Sequence, residues 1–184
     1  GFTAQRTMRI AQQLYEGVDI GNGAVGLISY MRTDSVNLAG EAVAELRSFI
    51  SDRFGANQLP EKPRQYKTKA KNAQEAHEAI RPTSALNTPA QIGRHLDKDL
   101  LKLYSLIWKR TVASQMIHAT IDTVAADLSA GEGNLFRATG STIASPGFIQ
   151  VYLEGTDDAK PGDDDEKMLP PLREGEQIEL VKIR

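Results

Sequence analysis

Gly26-Leu-Ile-Ser-Tyr-Met-Arg-Thr-Asp-Ser35 is the stretch around which the chain is organised. It begins apolar, with Leu27 and Ile28, in the manner of a short buried strand. It then turns polar, with Tyr30, Arg32, Thr33, Asp34 and Ser35. On a strand, residues two apart share a face, so Tyr30 and Arg32 are expected to point at one object. If that object is a phosphodiester, Arg32 can hold its oxygens bidentately while the phenol of Tyr30 attacks phosphorus. Most tyrosines near an arginine are structural, so spacing alone favours a core tyrosine whose hydroxyl finds a hydrogen-bond partner.

Upstream, Thr3 can cap a helix running to about Glu16, with Met8, Ala11 and Leu14 or Tyr15 on its inner face. Gly17 stops it, and Gly21-Asn22-Gly23 is a turn. Downstream, Thr33, Asp34 and Ser35 can accept backbone N–H bonds and start a turn or helix. Asp34 is therefore a cap or a residue that orients a site. A helix from about Gly40 to Phe54 shows Val43, Leu46, Phe49 or Ile50, and Phe54 at helical spacing. Residues 56–73 read as a polar loop carrying Arg64, Lys67, Lys69 and Lys71 with Tyr66 among them. Cations interleaved with an aromatic can track a nucleic-acid backbone, or the loop is simply solvated.

Gln74-Glu-Ala-His-Glu-Ala-Ile-Arg-Pro-Thr83 reads as a short helix limited by Pro82, with His77 and Arg81 on one face at i, i+4. Its carboxylates and single histidine match no zinc spacing. Thr88-Pro89 is a cap followed by the first helical residue. A helix from about Asp97 to Met116 turns Leu100, Tyr104, Ile107 or Trp108, and Val112 inward. His95 and His118 read as structural. After His118 the texture changes to strands at 120–128, 135–139, 147–153 and 177–183, separated by Gly-containing turns. Residues 155–170, including Asp163-Asp164-Asp165-Glu166, read as an acidic disordered loop.

The fold class expected is α+β: a mainly helical domain over 1–118, then an antiparallel β segment over 119–184. The 184 residues carry a net charge of −2 that hides an asymmetry. Residues 1–118 hold 16 Lys+Arg against 11 Asp+Glu, whereas 119–184 hold 6 against 13. The first part suits a polyanion and the second repels one. The chain has no cysteine, hence no disulfide framework and no cysteine zinc site. No apolar run approaches the roughly 20 residues that span a bilayer, and the first residues lack a signal-peptide pattern. These features fit a cytoplasmic location and an excised fragment.

Three blocks, in order, resemble the type IA DNA topoisomerases: residues 1–17, the Tyr30 segment and the His77 segment. Met31, where topoisomerase III carries Pro, favours the bacterial topoisomerase I branch; Ser29 stands where Thr is commoner and is expected to matter little. The resemblance implies that residues 1–118 form a winged-helix-like domain carrying the nucleophile, and that the β segment belongs to an arch-forming domain. It implies Tyr30 as the residue that becomes linked to a 5′ phosphate, with Arg32 and His77 beside the scissile phosphate. DNA contacts are expected from Arg32, Thr33, Asp34, Arg81, Lys67, Lys69 and Lys71. Magnesium is expected in the full enzyme, bound by a toprim domain absent from this chain, and no metal on the chain itself. The fragment alone is accordingly expected to be inactive. Expected partners are DNA, single-stranded at the cleavage point, the other domains of the same enzyme, and a second copy through an open sheet edge. The expected location is a bacterial cytoplasm, near the nucleoid. A non-catalytic DNA-binding module, or a protein-interaction domain using the sheet edge, are the competing readings.

Overall fold

The computed structural model describes residues 1–21, 23–66, 77–153 and 172–179. They fall into two compact units, one made of the described residues of 1–118 with 147–153, the other of 119–146 with 172–179.

Among the described residues, three long helices and a one-turn helix build the first unit. Helix α1 (Ala4–Glu16) is capped by Thr3, whose hydroxyl accepts the Arg6 N–H, and ends at Gly17. Helix α2 (Gly40–Phe54) ends at Gly55. A one-turn helix α3 (Pro89–Ile92) starts with a full capping box between Thr88 and Gln91, as the Thr88-Pro89 pair predicts. Helix α4 (Lys98–Ser114) is capped by Asp97, which accepts from the N–H groups of Asp99 and Leu100. A two-residue ladder joins β1 (Val18–Asp19) to β2 (Ala24–Val25), with the Asp19 carboxylate accepting from Gly21 and Gly23 in the turn.

One core unites these elements. Leu14, Leu27, Ile28, Ile50, Tyr104, Val112 and Met116 are all essentially inaccessible. Helices α1 and α4 are also tied at the surface by an Arg6–Asp99 ion pair. The inner face of α1 is Ile10, Ala11 and Leu14 rather than the expected set with Met8, which is 53 % exposed. Trp108 packs its edge against Phe49, with ring centres 5.5 Å apart, and donates its indole N–H to the Ala85 carbonyl.

Three expectations are corrected. Residues 77–80 are not helical. The Ala79 N–H donates to Asn37 O and the Arg81 N–H to Ser29 Oγ, so these donors cross to other segments instead of closing helical turns. Pro82 disfavours the helical conformation at the residue before it. Residues 147–150 form a 3₁₀ turn, not a strand, and 147–153 join the first unit. Gly147 has φ +46°, a conformation that ends extended chain. Phe148 and Val151, three apart, then face the helical core. Finally, the described part of the 56–73 loop is pinned. Gln115, fully buried, accepts the Arg64 N–H and donates to the Arg64 carbonyl, and Tyr66 donates its hydroxyl to Ser114 O.

The second unit contains an antiparallel ladder of β3 (Thr120–Ser129) and β4 (Leu135–Ser145). Val124, Ala126 and Leu128 are half-buried while their neighbours are exposed, the two-residue alternation of a sheet with one covered face. Arg137 grips Asp127 across the strands with two hydrogen bonds of 2.6 and 2.9 Å. Of the expected last strand, residues 177–179 lie outside both ladders, and 180–183 are outside the described residues. The acidic stretch 155–170, like Lys67, Lys69 and Lys71, is also outside them. Among the described residues no helix is long and apolar enough to cross a membrane.

Candidate active site

The Tyr30 segment is held from both sides. The Leu27 N–H donates to Leu14 O at 2.7 Å, on the last turn of α1. On the other side, the Thr83 N–H donates to Leu27 O and the Ser29 N–H to Arg81 O, with Ile28 opposite Pro82 in an antiparallel bridge. Gly26 permits the approach to α1, because a Cβ there would lie 2.7 Å from the Tyr15 carbonyl oxygen. The Ser29 hydroxyl donates to Ala79 O at 2.7 Å and accepts from the Arg81 N–H at 2.9 Å. It therefore stitches the Tyr30 block to the His77 block.

Beyond Ser29 the strand stops. The Arg32 N–H turns back onto Tyr30 O at 2.9 Å, a three-residue turn. The expected strand alternation, with Tyr30 and Arg32 on one face, therefore does not apply. Tyr30 is 55 % exposed, and its ring meets that of Tyr15 edge-on at 5.3 Å. Arg32 turns instead to Asp34 and His77. Its Nε lies 3.0 Å from Asp34 Oδ2 and its Nη1 3.1 Å from His77 Nε2. His77 Nδ1 faces the same Asp34 oxygen at 3.8 Å.

A guanidinium has only donors. The Arg32–His77 contact is thus a hydrogen bond only if Nε2 offers its lone pair. In that arrangement the proton on Nδ1 faces Asp34. Asp34 Oδ1 and His77 Nδ1 are buried without a hydrogen-bond partner. Unpaired buried polar atoms are uncommon and mark places completed by a ligand, water or movement. With its side chain 48 % exposed, Arg32 still offers N–H groups outward.

The other expected residues separate. Thr33 lies on the rim of a groove of about 520 Å³ with Met31, Met8 and Leu106. Arg81 is turned inward: its Nε and Nη2 bind the two Glu78 oxygens at 2.6 and 3.0 Å, and its Nη1 donates to Pro82 O. His77 and Arg81 thus serve different groups rather than one helix face. Glu78 went unrecognised in the sequence. Its carboxylate joins Arg81 to the N-terminus of α2 by accepting the Ala39 N–H at 2.7 Å. Its spacing of three from Arg81 was the available signal.

Partial burial raises the pKa of Glu78, but hydrogen bonds from Arg81 and Ala39 and the charge of Arg81 outweigh it, leaving a net value below the ordinary 4.5. A depressed carboxylate contributes stability that is present above its unfolded pKa and lost as pH falls through the folded one. The unaltered chain should therefore lose stability as pH drops below about 4.5. Glu78→Gln should cost on the order of 1–3 kcal/mol at neutral pH and flatten part of that acid dependence. Urea unfolding followed by circular dichroism at several pH values measures both.

A family profile described as DNA topoisomerase matches residues 1–184. The DNA topoisomerase 1 of Xylella fastidiosa (strain Temecula1) is 55 % identical over 185 residues, covering all of this chain and 23 % of its own. That of Rickettsia felis is 52 % identical over 184 residues, again covering all of this chain and 24 % of its own. The structure of full-length topoisomerase I from Thermotoga maritima matches with a TM-score of 0.66 at 36 % identity, over 87 % of this chain and 25 % of that one. The chain thus spans about a quarter of the length of these relatives. With a match over its whole length and its three sequence blocks in order, the chain belongs to the type IA DNA topoisomerase family.

Proposed function

We propose that this chain is the tyrosine-bearing part of an enzyme that relaxes negatively supercoiled DNA by transient cleavage of one strand. The observation that carries the reading is the contact between Arg32 Nη1 and His77 Nε2. It brings together two sequence blocks, one of which carries an exposed phenol two residues before Arg32. In the proposed step Tyr30 Oη forms a bond to phosphorus as the bond to the 3′ oxygen breaks. The phenol loses a proton and the 3′ oxygen gains one. The products are a 5′-phosphotyrosine and a free 3′ hydroxyl. The phosphodiester energy stays in the new ester, so the reverse attack reseals the strand after another has passed, without ATP.

Arg32 supplies fixed positive charge where the phosphate gains negative charge in the transition state. Asp34 and His77 are positioning residues that hold the guanidinium. A phosphate that draws Arg32 outward frees His77 Nε2, an acceptor able to relay a proton. Thr33, Lys67, Lys69 and Lys71 complete the proposed DNA contacts; Arg81, expected among them, is committed instead to Glu78 and Pro82. The helical unit is read as winged-helix-like. Among the described residues no three His, Cys, Asp or Glu side chains gather as a metal site. Asp34 and His77, already facing a guanidinium, do not suit a magnesium ion that takes oxygen ligands and water in octahedral geometry. Magnesium, which the family resemblance implies, is placed by this proposal in the rest of the enzyme. A purely DNA-binding role for the chain accounts for the positive balance of 1–118 but leaves the Arg32–Asp34–His77 cluster without a purpose.

The exposed Ile121, Leu135, Phe136 and Ile143 of the β3–β4 ladder support a further part of the reading. A two-stranded ladder is marginal alone, so we assign these residues to contact with other parts of the enzyme, and to self-association when the chain is isolated. Light scattering should show mass rising with concentration; a constant monomer contradicts this.

Cleavage is tested by covalent trapping. The chain is mixed with labelled single-stranded DNA and magnesium, together with the remaining portion of the Xylella relative, and quenched with detergent. Labelled protein is expected. Tyr30→Phe should abolish it while leaving salt-sensitive DNA binding intact, and Arg32→Ala should slow its formation by about a hundredfold or more. Label persisting on Tyr30→Phe contradicts the assignment.

A further inference from the structure

Tyr30 stands where the buried strand gives way to a turn, and its ring is not in the core. It is 55 % exposed, and its hydroxyl has no hydrogen-bond partner among the described residues. A side chain in that setting can sample several staggered rotamers. Each change of rotamer swings the phenol oxygen through several ångströms, because the oxygen sits at the far end of a rigid ring. Arg32 has Asp34 and His77 to hold it. Tyr30 has the ring of Tyr15, edge-on at 62° with the ring centres 5.3 Å apart.

Tyr15 is anchored well enough to act as a stop. It lies on the last turn of α1, between two backbone bonds that fix the helix end. The Leu14 carbonyl accepts the Leu27 N–H at 2.7 Å, and the Gly17 N–H donates to Gln13 O at 3.1 Å. The Tyr15 carbonyl itself lies against Gly26, where a Cβ would come within 2.7 Å of its oxygen. The end of α1 and residues 26–29 are therefore one frame, and the two rings rise from it side by side. Tyr15 is 40 % exposed, so the pair is no buried core contact.

An edge-on aromatic pair adds stabilisation beyond the area it buries, enough to favour one rotamer of an exposed ring. We propose that Tyr15 is a positioning residue for the nucleophile, its ring selecting the Tyr30 rotamer from which the phenol oxygen meets phosphorus. This role presupposes the cleavage step proposed above and joins a residue of α1 to the Arg32–Asp34–His77 cluster. Tyr15 forms no bond in the reaction. It narrows the orientations that Tyr30 searches before attack, which is the positional part of catalysis. The ring carries that role and the Tyr15 hydroxyl does not. Phenylalanine therefore preserves it, whereas leucine keeps apolar cover over the helix end and loses it.

The test has two arms. NMR of the unaltered 184-residue chain should show nuclear Overhauser cross-peaks between the Tyr15 and Tyr30 ring protons. The Tyr30 ring shifts should move in Tyr15→Leu and hold close to their places in Tyr15→Phe. In the second arm, covalent product is timed with labelled single-stranded DNA, with the remaining portion of the Xylella relative present. Tyr15→Leu should lower the rate at saturating DNA about fivefold or more and leave half-saturation unchanged, and Tyr15→Phe should restore the rate. Absent cross-peaks, or a Tyr15→Leu chain as fast as the unaltered one, overturn the positioning role while the cleavage reading stands. An unaltered chain that traps no DNA overturns the cleavage reading and this role with it, and the cross-peaks then report packing alone.

Discussion

The structure depends on a few backbone hydrogen bonds that clamp residues 26–29 between the end of α1 and residues 79–83. Leu27 gives its N–H to Leu14 and its carbonyl to Thr83, while Ser29 bonds Arg81 and Ala79. A short apolar strand buried this deeply must have its amides paired, since each orphan would cost about 1–3 kcal/mol. Pairing with both neighbours at once fixes where the next residues begin. The helical core can therefore be rigid while the chain from Tyr30 onward is polar, half-exposed and aimed at solvent. Glu78 extends the same clamp to α2 through Ala39.

This arrangement separates two tasks within one segment. Leu27 and Ile28 are inaccessible and contribute by burial; Arg32 and Asp34, a few residues later, contribute by charge. The tight turn at Tyr30–Arg32 marks the change. It sends the phenol toward Tyr15 and the guanidinium toward Asp34 and His77. In the proposed reaction an incoming phosphate has to draw this guanidinium away from the carboxylate and imidazole that hold it. The phosphate must then compete with Asp34. The buried, unpaired oxygen of Asp34 and nitrogen of His77 are the atoms whose surroundings a bound phosphate would change.

Much of the helical part was legible in residue order. Thr3, Gly17, Gly55, Thr88-Pro89 and Asp97 are local signals whose chemistry acts within one turn, and each marks a helix boundary in the structure. What was not legible depended on partners far along the chain. Residues 77–80 carry a helix-like spacing, yet their donors are taken by Ser29 and Asn37. Residues 147–153 alternate like a strand, yet a left-handed Gly147 and the contacts of Phe148 and Val151 with the helical core redirect them. The Tyr30–Arg32 alternation failed because the chain turns where a strand was assumed. At the site, residue types and family resemblance pointed to Tyr30, Arg32 and His77. The contact between Arg32 and His77, and the linking role of Ser29 and Glu78, needed three dimensions.

The central claim is that Arg32 and His77 form one unit, with the histidine accepting from the guanidinium. Nitrogen-15 NMR of the His77 ring measures this directly, because protonated and lone-pair ring nitrogens resonate far apart. The account predicts a proton on Nδ1 and a lone-pair signal at Nε2 that shifts when Arg32 is replaced by alanine. A proton on Nε2, unaffected by that replacement, would contradict it.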